Sequence, residues 1–172
     1  SFFNDMIASV QKQSYPQWEL ILVNASPEIA ELSTRADSLC NADTRIKTIK
    51  LQSNLGITLN TNAGIEAATG DFVCFFDHDD ILEPDLLFEY TKVINSNAAI
   101  DILYCDEDKL LPDGHYVQPF FKPDFSIDLL RNNNYVCHLL TVRKTILDRL
   151  PLATSEYDGA PAHNLVLKAS EI

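Results

Sequence analysis

Apolar and polar positions along this chain switch between a helical period and short, nearly unbroken apolar runs. Over 2–13, Phe3, Met6, Ile7 and Val10 recur at helical spacing, and Pro16 in the turn Ser14-Tyr15-Pro16-Gln17 ends the pattern, because a proline pushes the residue before it out of helix. Residues 18–23 are apolar except for Glu19, as in a strand buried on both faces. Asn24-Ala25-Ser26-Pro27 then predicts a helix over about 28–41, with Ser26 as N-cap and Pro27 at the first helical position. A second strand is predicted over 45–51 and a helix over 56–69, closed by Gly70. A third strand follows over 71–76, then a helix over 83–95 with Pro84 near its start, then a fourth strand over 100–104. Strands alternating with helices predict an α/β domain with a mainly parallel central sheet flanked by helices.

The pattern changes after Tyr104. Residues 110–116 contain Pro112-Asp113-Gly114, a hairpin or loop tip, and 120–125 are aromatic around Lys122-Pro123-Asp124. A short helix is predicted over 126–131, a strand over 135–142, and an amphipathic helix over 160–172 with Leu165, Leu167 and Ala169 partly buried. No repeat, low-complexity tract or linker interrupts the chain, which predicts a single domain over 1–172. The chain opens directly on a helix, whereas a parallel sheet of this type begins with a strand, so the first strand is expected to be absent from it.

Composition narrows the function classes. Lys and Arg number 13 and Asp and Glu 25, for a formal net charge of -12. No basic run forms a face for nucleic acid or anionic lipid. An excess of carboxylates suits metal-assisted handling of phosphates, although most of them are expected on solvated surface. Cys40, Cys74, Cys105 and Cys137 are far apart, without the spacing of a zinc site or a disulfide framework, which predicts a reducing, cytoplasmic setting. No apolar stretch approaches the ~18 residues of a membrane span.

The strongest chemical signal is Asp77-His78-Asp79-Asp80. It lies just past the apolar strand 71–76, and ligands of open α/β sheets bind beyond the carboxyl ends of the strands. Carboxylates on such a turn can converge on a hard cation. They can equally form a capping cluster for the next helix, with Asp80 the natural cap and His78 an exposed turn residue. Asp106-Glu107-Asp108, after the fourth strand, either faces the same crevice or forms a solvated loop. Lys122 is either a phosphate contact or a snorkelling surface cation.

Several segments, in order, resemble the family 2 glycosyltransferases. They are Asn54-Leu55-Gly56-Ile57, Asn62-Ala63-Gly64-Ile65, Ala68-Thr69-Gly70-Asp71 and Phe75 to Leu82, with Gln13-Ser14-Tyr15-Pro16 and Trp18-Glu19-Leu20 upstream. Tyr104 to Asp108, Phe121-Lys122-Pro123-Asp124-Phe125 and Asn134-Tyr135 are similar to a bacterial surface-polysaccharide branch with rhamnosyl- and galactosyltransferases. The resemblance runs from Ser9 to about Lys168. It implies a GT-A type fold, with 1–105 the nucleotide-sugar half and 106–172 the acceptor half. It implies Mn²⁺ or Mg²⁺ at Asp79, with Asp77 sharing the metal or contacting the ribose. Asn24 stands where the family has a base-reading Asp, and Asn54, Gly56 and Asn62 fall on the nucleotide side. Asp106, Glu107, Asp108, Lys122 and His138 fall on the acceptor side.

The resemblance breaks at the expected general base. Gly159-Ala160-Pro161-Ala162-His163-Asn164-Leu165 aligns with a run in which the family has Asp at the positions of Ala162 and Asn164. Lys168 stands near the family's Arg. His163 and Asp158 are the substitutes for the base that the sequence offers. Two functions follow. One is an inverting, metal-assisted transferase that moves sugar from a UDP- or dTDP-sugar to a saccharide or lipid-linked acceptor, at the inner face of the membrane. The other is a nucleotide-sugar-binding or scaffolding domain that has lost its base. A nucleotidyltransferase would require a Gly-rich, basic phosphate loop, and none is visible.

Overall fold

The computed structural model describes residues 2–151 and 154–171. Helix α1 (Phe2–Gln11) leads to β1 (Leu20–Asn24), α2 (Ala30–Ala42), β2 (Ile46–Lys50), α3 (Ile57–Ala67), β3 (Phe72–Cys74), α4 (Leu86–Ser96) and β4 (Ile102–Leu103). The hairpin β5 (Glu107–Leu110) and β6 (Tyr116–Phe120) follows, then α5 (Ile127–Asn132), β7 (Thr141–Arg143), α6 (Lys144–Leu147), a 3₁₀ turn at Ser155–Tyr157 and α7 (Pro161–Ala169). The expected elements through β4 are all present, and α6 and the 3₁₀ turn are additions.

Three expectations are corrected. The helix predicted from Glu28 begins at Ala30, and its N-cap is Ile29 rather than Ser26. The Asn24 side chain accepts the Ser26 N–H at 3.0 Å, and Ile29 N–H bonds Ser26 carbonyl at 3.0 Å, so Ser26 belongs to a turn. The strand predicted over 135–142 is confined to β7; Tyr135, Val136 and Leu139 are buried outside it, and Leu140 continues its alignment through one bond from Phe75. The last helix ends at Ala169, and Ile172 lies outside the described residues. Its buried face is Val166 and Ala169, with Leu165 and Leu167 partly buried as expected.

β1 and β2 pair in parallel, Leu20 opposite Ile46. β7 lies antiparallel between β3 and β4, so those two strands run the same way. Side chains alternate across the sheet as the pleat dictates. Val73 and Phe75 face a cluster with Ile65, Leu130, Val142 and Val166, while Cys74 and Phe76 face another with Met6, Ile7, Val10 and Leu82. Helices therefore cover both faces. No strand among the described residues pairs with the facing edges of β1 and β3. Between them runs a cavity of about 970 Å³ lined by Ile21, Val23, Gly64, Val73, Phe75 and Tyr90, which reaches Asp77. No helix is long and apolar enough to cross a membrane among the described residues. The four cysteines are free.

Glu19, the polar interruption in the first strand run, ties three strand entries together. Its Oε1 accepts the backbone N–H of Thr69 (2.6 Å), the Thr69 hydroxyl (2.9 Å) and the N–H of Gly70 (3.0 Å), ahead of β3. Its Oε2 accepts from Lys47 of β2 at 2.6 Å. Burial raises this carboxyl, but the Lys47 and Thr69 bonds outweigh it and hold the pKa at about 2, below an ordinary 4.5. Because the folded pKa is depressed, the stabilisation is complete above about pH 4.5 and is lost as pH falls towards about 2. We expect Glu19→Gln to cost about 1–2 kcal/mol at neutral pH, the exposed Lys47 partner adding little. Urea titrations across that pH range would check it: an acid limb as steep as the parent's would count against this role.

Candidate functional site

The acidic turn is placed by β3. After Cys74 the antiparallel alignment with the β7 arm continues, since Phe75 N–H bonds Leu140 carbonyl at 2.8 Å. Cys74 stands opposite Thr141. Continuing that register puts His138 opposite Asp77. The chain then turns, with Asp80 N–H on Asp77 carbonyl at 3.3 Å. Residues first and last in such a turn come to the same side, while those between project outwards.

The side chains follow that geometry. His138 Nδ1 is 3.3 Å from an Asp77 carboxylate oxygen and 3.5 Å from one of Asp80. One ligand atom from each of Asp77, Asp80 and His138 lies within 4.8 Å of the others. Asp79 is outside this group, with its nearest charged partner the exposed His78 at 4.0 Å. Asp80 is half-buried and caps nothing: α4 starts six residues on, and its N-cap is Asp85. Burial pushes the Asp80 carboxyl above its usual value; Asp77, Asp79 and Glu107 push the same way, against His138. This excess of carboxylate charge is what a divalent cation relieves. Two carboxylates with one imidazole fit Mn²⁺, which accepts mixed oxygen and nitrogen ligands, better than Mg²⁺, which prefers oxygen.

Of the three acidic residues at 106–108, two are engaged internally. Asp106 Oδ1 accepts the Lys122 backbone N–H at 2.7 Å. Glu107 Oε2 accepts the Lys122 ammonium at 3.0 Å and the His138 backbone N–H at 2.7 Å. Burial raises the Glu107 carboxyl, but the bonds from His138 and Lys122 prevail and lower it. Asp108 is exposed on β5. Lys122 is no surface cation: its side chain is 1% exposed.

The residues assigned to the nucleotide side are held locally. Asn24, at the end of β1, donates to Ser33 Oγ at 3.0 Å while its oxygen accepts from Ser26. Asn54 Oδ1 accepts Gly56 N–H (3.0 Å) and Asn60 Nδ2 (2.9 Å). Gly56 is the N-cap of α3 with φ +90°. Asn62 lies further along α3 and lines a small pocket with Leu147, Leu150 and Leu165. The two candidate bases have other partners. Asp158 Oδ1 accepts the Thr58 N–H at 2.9 Å, in the first turn of α3. His163 Nε2 is 2.6 Å from the Leu130 carbonyl. Ala162 packs against the core cluster around Leu130. Neither His163 nor Asp158 belongs to the group around Asp77. Sequence reasoning took Asp80 for a cap, and it did not bring His138 to the side of Asp77 and Asp80.

Comparison with known proteins identifies the family and the fold. The family model described as "Glycosyl transferase family 2" matches residues 1–150. The "O-antigen biosynthesis protein RfbC" of Myxococcus xanthus is 36% identical over 171 residues, covering 99% of this chain but 13% of that protein. This chain therefore spans a small part of that relative's length. Among solved structures, S. aureus TarS 1–349 in complex with UDP superposes with a TM-score of 0.73 at 20% identity, over 97% of this chain and 50% of that one. The mannosyltransferase PcManGT from Pyrobaculum calidifontis, in complex with GDP-Man and Mn2+, gives 0.71 at 16% identity, over 98% and 48%. These structures share the GT-A fold with this chain.

Proposed function

The chain belongs to glycosyl transferase family 2, and from that premise we propose that it binds a nucleotide-diphospho-sugar at the acidic turn and transfers the sugar, with inversion, to a saccharide acceptor of a surface polysaccharide. The observation that carries this reading is the convergence of Asp77, Asp80 and His138 past the end of β3. A relative named for O-antigen biosynthesis supports the acceptor class.

In this mechanism Asp77, Asp80 and His138 hold a divalent ion, Mn²⁺ by their chemistry. When bound, the ion supplies the positive charge that the diphosphate leaving group requires. Asp79, exposed on the same turn, supplies a further carboxylate to the ion or to the donor ribose. The loop at Asn54 and Gly56 lies on the nucleotide side, its Gly56 N–H held by Asn54 and the Thr58 N–H of α3 by Asp158. Asn24 stands at the mouth of the crevice and reads the base. The exposed Asp108 remains on the acceptor side. The cavity between β1 and β3 reaches Asp77 and adjoins the acidic turn.

A second reading, donor binding without transfer, draws on α7. Ala162 offers no basic group, and His163 is engaged with Leu130. One experiment addresses both readings. Thermal shift with UDP-, dTDP- and GDP-sugars is measured with and without Mn²⁺, and transfer to oligosaccharide acceptors is then assayed with the donor that binds. A donor at 100 times its Kd raises stability by about 2.7 kcal/mol. Stabilisation that depends on Mn²⁺, together with turnover, supports the transferase. Stabilisation without turnover supports the second reading. If no nucleoside diphosphate raises the melting temperature under either condition, both are wrong.

A further inference from the structure

Lys122 has the least exposed side chain of the ion pairs among the described residues, and the family reading does not explain its burial. It follows β6, far in sequence from the acidic turn, yet its side chain is 1% exposed. A buried ammonium needs partners on every side, and its partners here converge on a single peptide unit. The Lys122 Nζ donates to the Cys137 carbonyl at 2.5 Å and to Glu107 Oε2 at 3.0 Å. The same Glu107 oxygen accepts the His138 N–H at 2.7 Å. Carbonyl 137 and N–H 138 are the two polar ends of one peptide bond. An ammonium grips one end and a carboxylate the other, and the two gripping groups are bonded to each other. Lys122 is itself held from behind, its backbone N–H on Asp106 Oδ1 at 2.7 Å.

We infer that Lys122 and Glu107 are positioning residues that fix the His138 peptide, and so aim the imidazole at the carboxylates of Asp77 and Asp80. The inference rests on the reading of those three side chains as a metal site. A ligand on an unpaired loop needs such an anchor. His138 lies outside β7, and the next residue, Leu139, is buried with φ +51°, a backbone region that a leucine occupies only when its surroundings impose it. Its surroundings are the apolar cluster of Met6, Ile7 and Leu82, and the brace holds the peptide just before it. The brace also accounts for the order Asp106-Glu107: the first fixes the main chain of Lys122, the second its tip.

The test replaces the pair as a unit, because removing one partner leaves a buried charge unpaired. Lys122→Met/Glu107→Leu removes both bonds to the peptide and both charges. Lys122→Met/Glu107→Gln also removes the charges but keeps an oxygen for the His138 N–H, and serves if the first variant does not melt cooperatively. Mn²⁺ affinity is read by electron paramagnetic resonance, and hydrogen exchange of 134–140 is read by mass spectrometry on metal-free protein. We expect the Met/Leu variant to bind Mn²⁺ about 10- to 100-fold more weakly and to exchange faster at 134–140 than elsewhere. The Met/Gln variant should recover part of both. On a His138→Ala background the brace substitutions should weaken Mn²⁺ binding less than about twofold further, since the residue they position is gone. Unchanged exchange and affinity, or losses that multiply with His138→Ala, would overturn the inference. A parent protein that binds no Mn²⁺ sinks the metal reading instead, and local exchange alone then decides the brace.

Discussion

Under the proposed transfer reaction, replacing Asp77 with alanine should lower sugar transfer by at least about 100-fold, the largest effect expected of any single substitution in this chain. The Asp77 side chain meets His138 at 3.3 Å, and its main-chain carbonyl, which alanine keeps, accepts from Asp80 N–H at 3.3 Å. Its loss removes a ligand charge and the partner that orients the imidazole. Stabilisation of a leaving diphosphate by a bound cation supplies several kcal/mol, and each 1.36 kcal/mol is tenfold in rate, so losing about 2.7 kcal/mol or more gives the stated fall. Single-turnover transfer at saturating donor, with Mn²⁺ titrated, separates the loss of metal affinity from the loss of chemistry. Turnover within threefold of the parent would remove Asp77 from the site.

Two neighbouring substitutions distinguish the structure's site from the one the resemblance implies. The resemblance makes Asp79 the chief ligand, with Asp77 beside it. The geometry instead brings Asp80 and His138 to Asp77. Asp80→Ala should therefore weaken Mn²⁺ binding more than Asp79→Ala does. The opposite order would show that the turn rearranges around donor and that Asp79 moves inwards.

What the sequence shows of this site, and what it hides, depends on distance along the chain. The apolar run ending in Phe76 and the carboxylates after it were legible, because a buried strand and its turn are local patterns. His138 was not, because it lies 61 residues beyond Asp77. Its place follows from the Cys74–Thr141 register, which no periodicity reveals. The apolar stretch from Tyr135 reads as a strand, yet most of it is buried irregular chain; a short apolar run does not distinguish the two. Lys122 reads as a surface cation because lysine usually is one, and its burial depends on Glu107 and on a carbonyl brought in by tertiary structure. Ser26-Pro27 carried a sound helix-start signal, but the Asn24 side chain captured the Ser26 N–H first.

Gly56→Ala is the substitution expected to damage the fold most directly at the nucleotide side. Gly56 has φ +90° and ψ 164°, a region almost closed to residues with a Cβ, at a cost of about 1–3 kcal/mol. A Cβ there would also lie 2.5 Å from Oδ2 of Asp158, closer than real contacts allow. The carboxylate would have to leave the Thr58 N–H, which it accepts at 2.9 Å, and the first turn of α3 would lose that partner. That bond holds the Asp158 carboxyl below its usual value, so its contribution fades as pH falls through the acid range. At roughly 2–4 °C per kcal/mol for a chain of this size, the backbone cost alone lowers the melting temperature by about 2–12 °C. Asp158→Ala should destabilise less, and the double variant should melt higher than the sum of the two losses, because removing the carboxylate relieves the clash. Strict additivity would show that Asp158 does not meet the glycine in solution. The same pair of variants bears on the missing base. If Asp158→Ala lowers the melting temperature but leaves turnover intact, Asp158 is a cap for α3, and the proton of the acceptor hydroxyl goes elsewhere. A loss of turnover out of proportion to the loss of stability would return Asp158 to the chemistry.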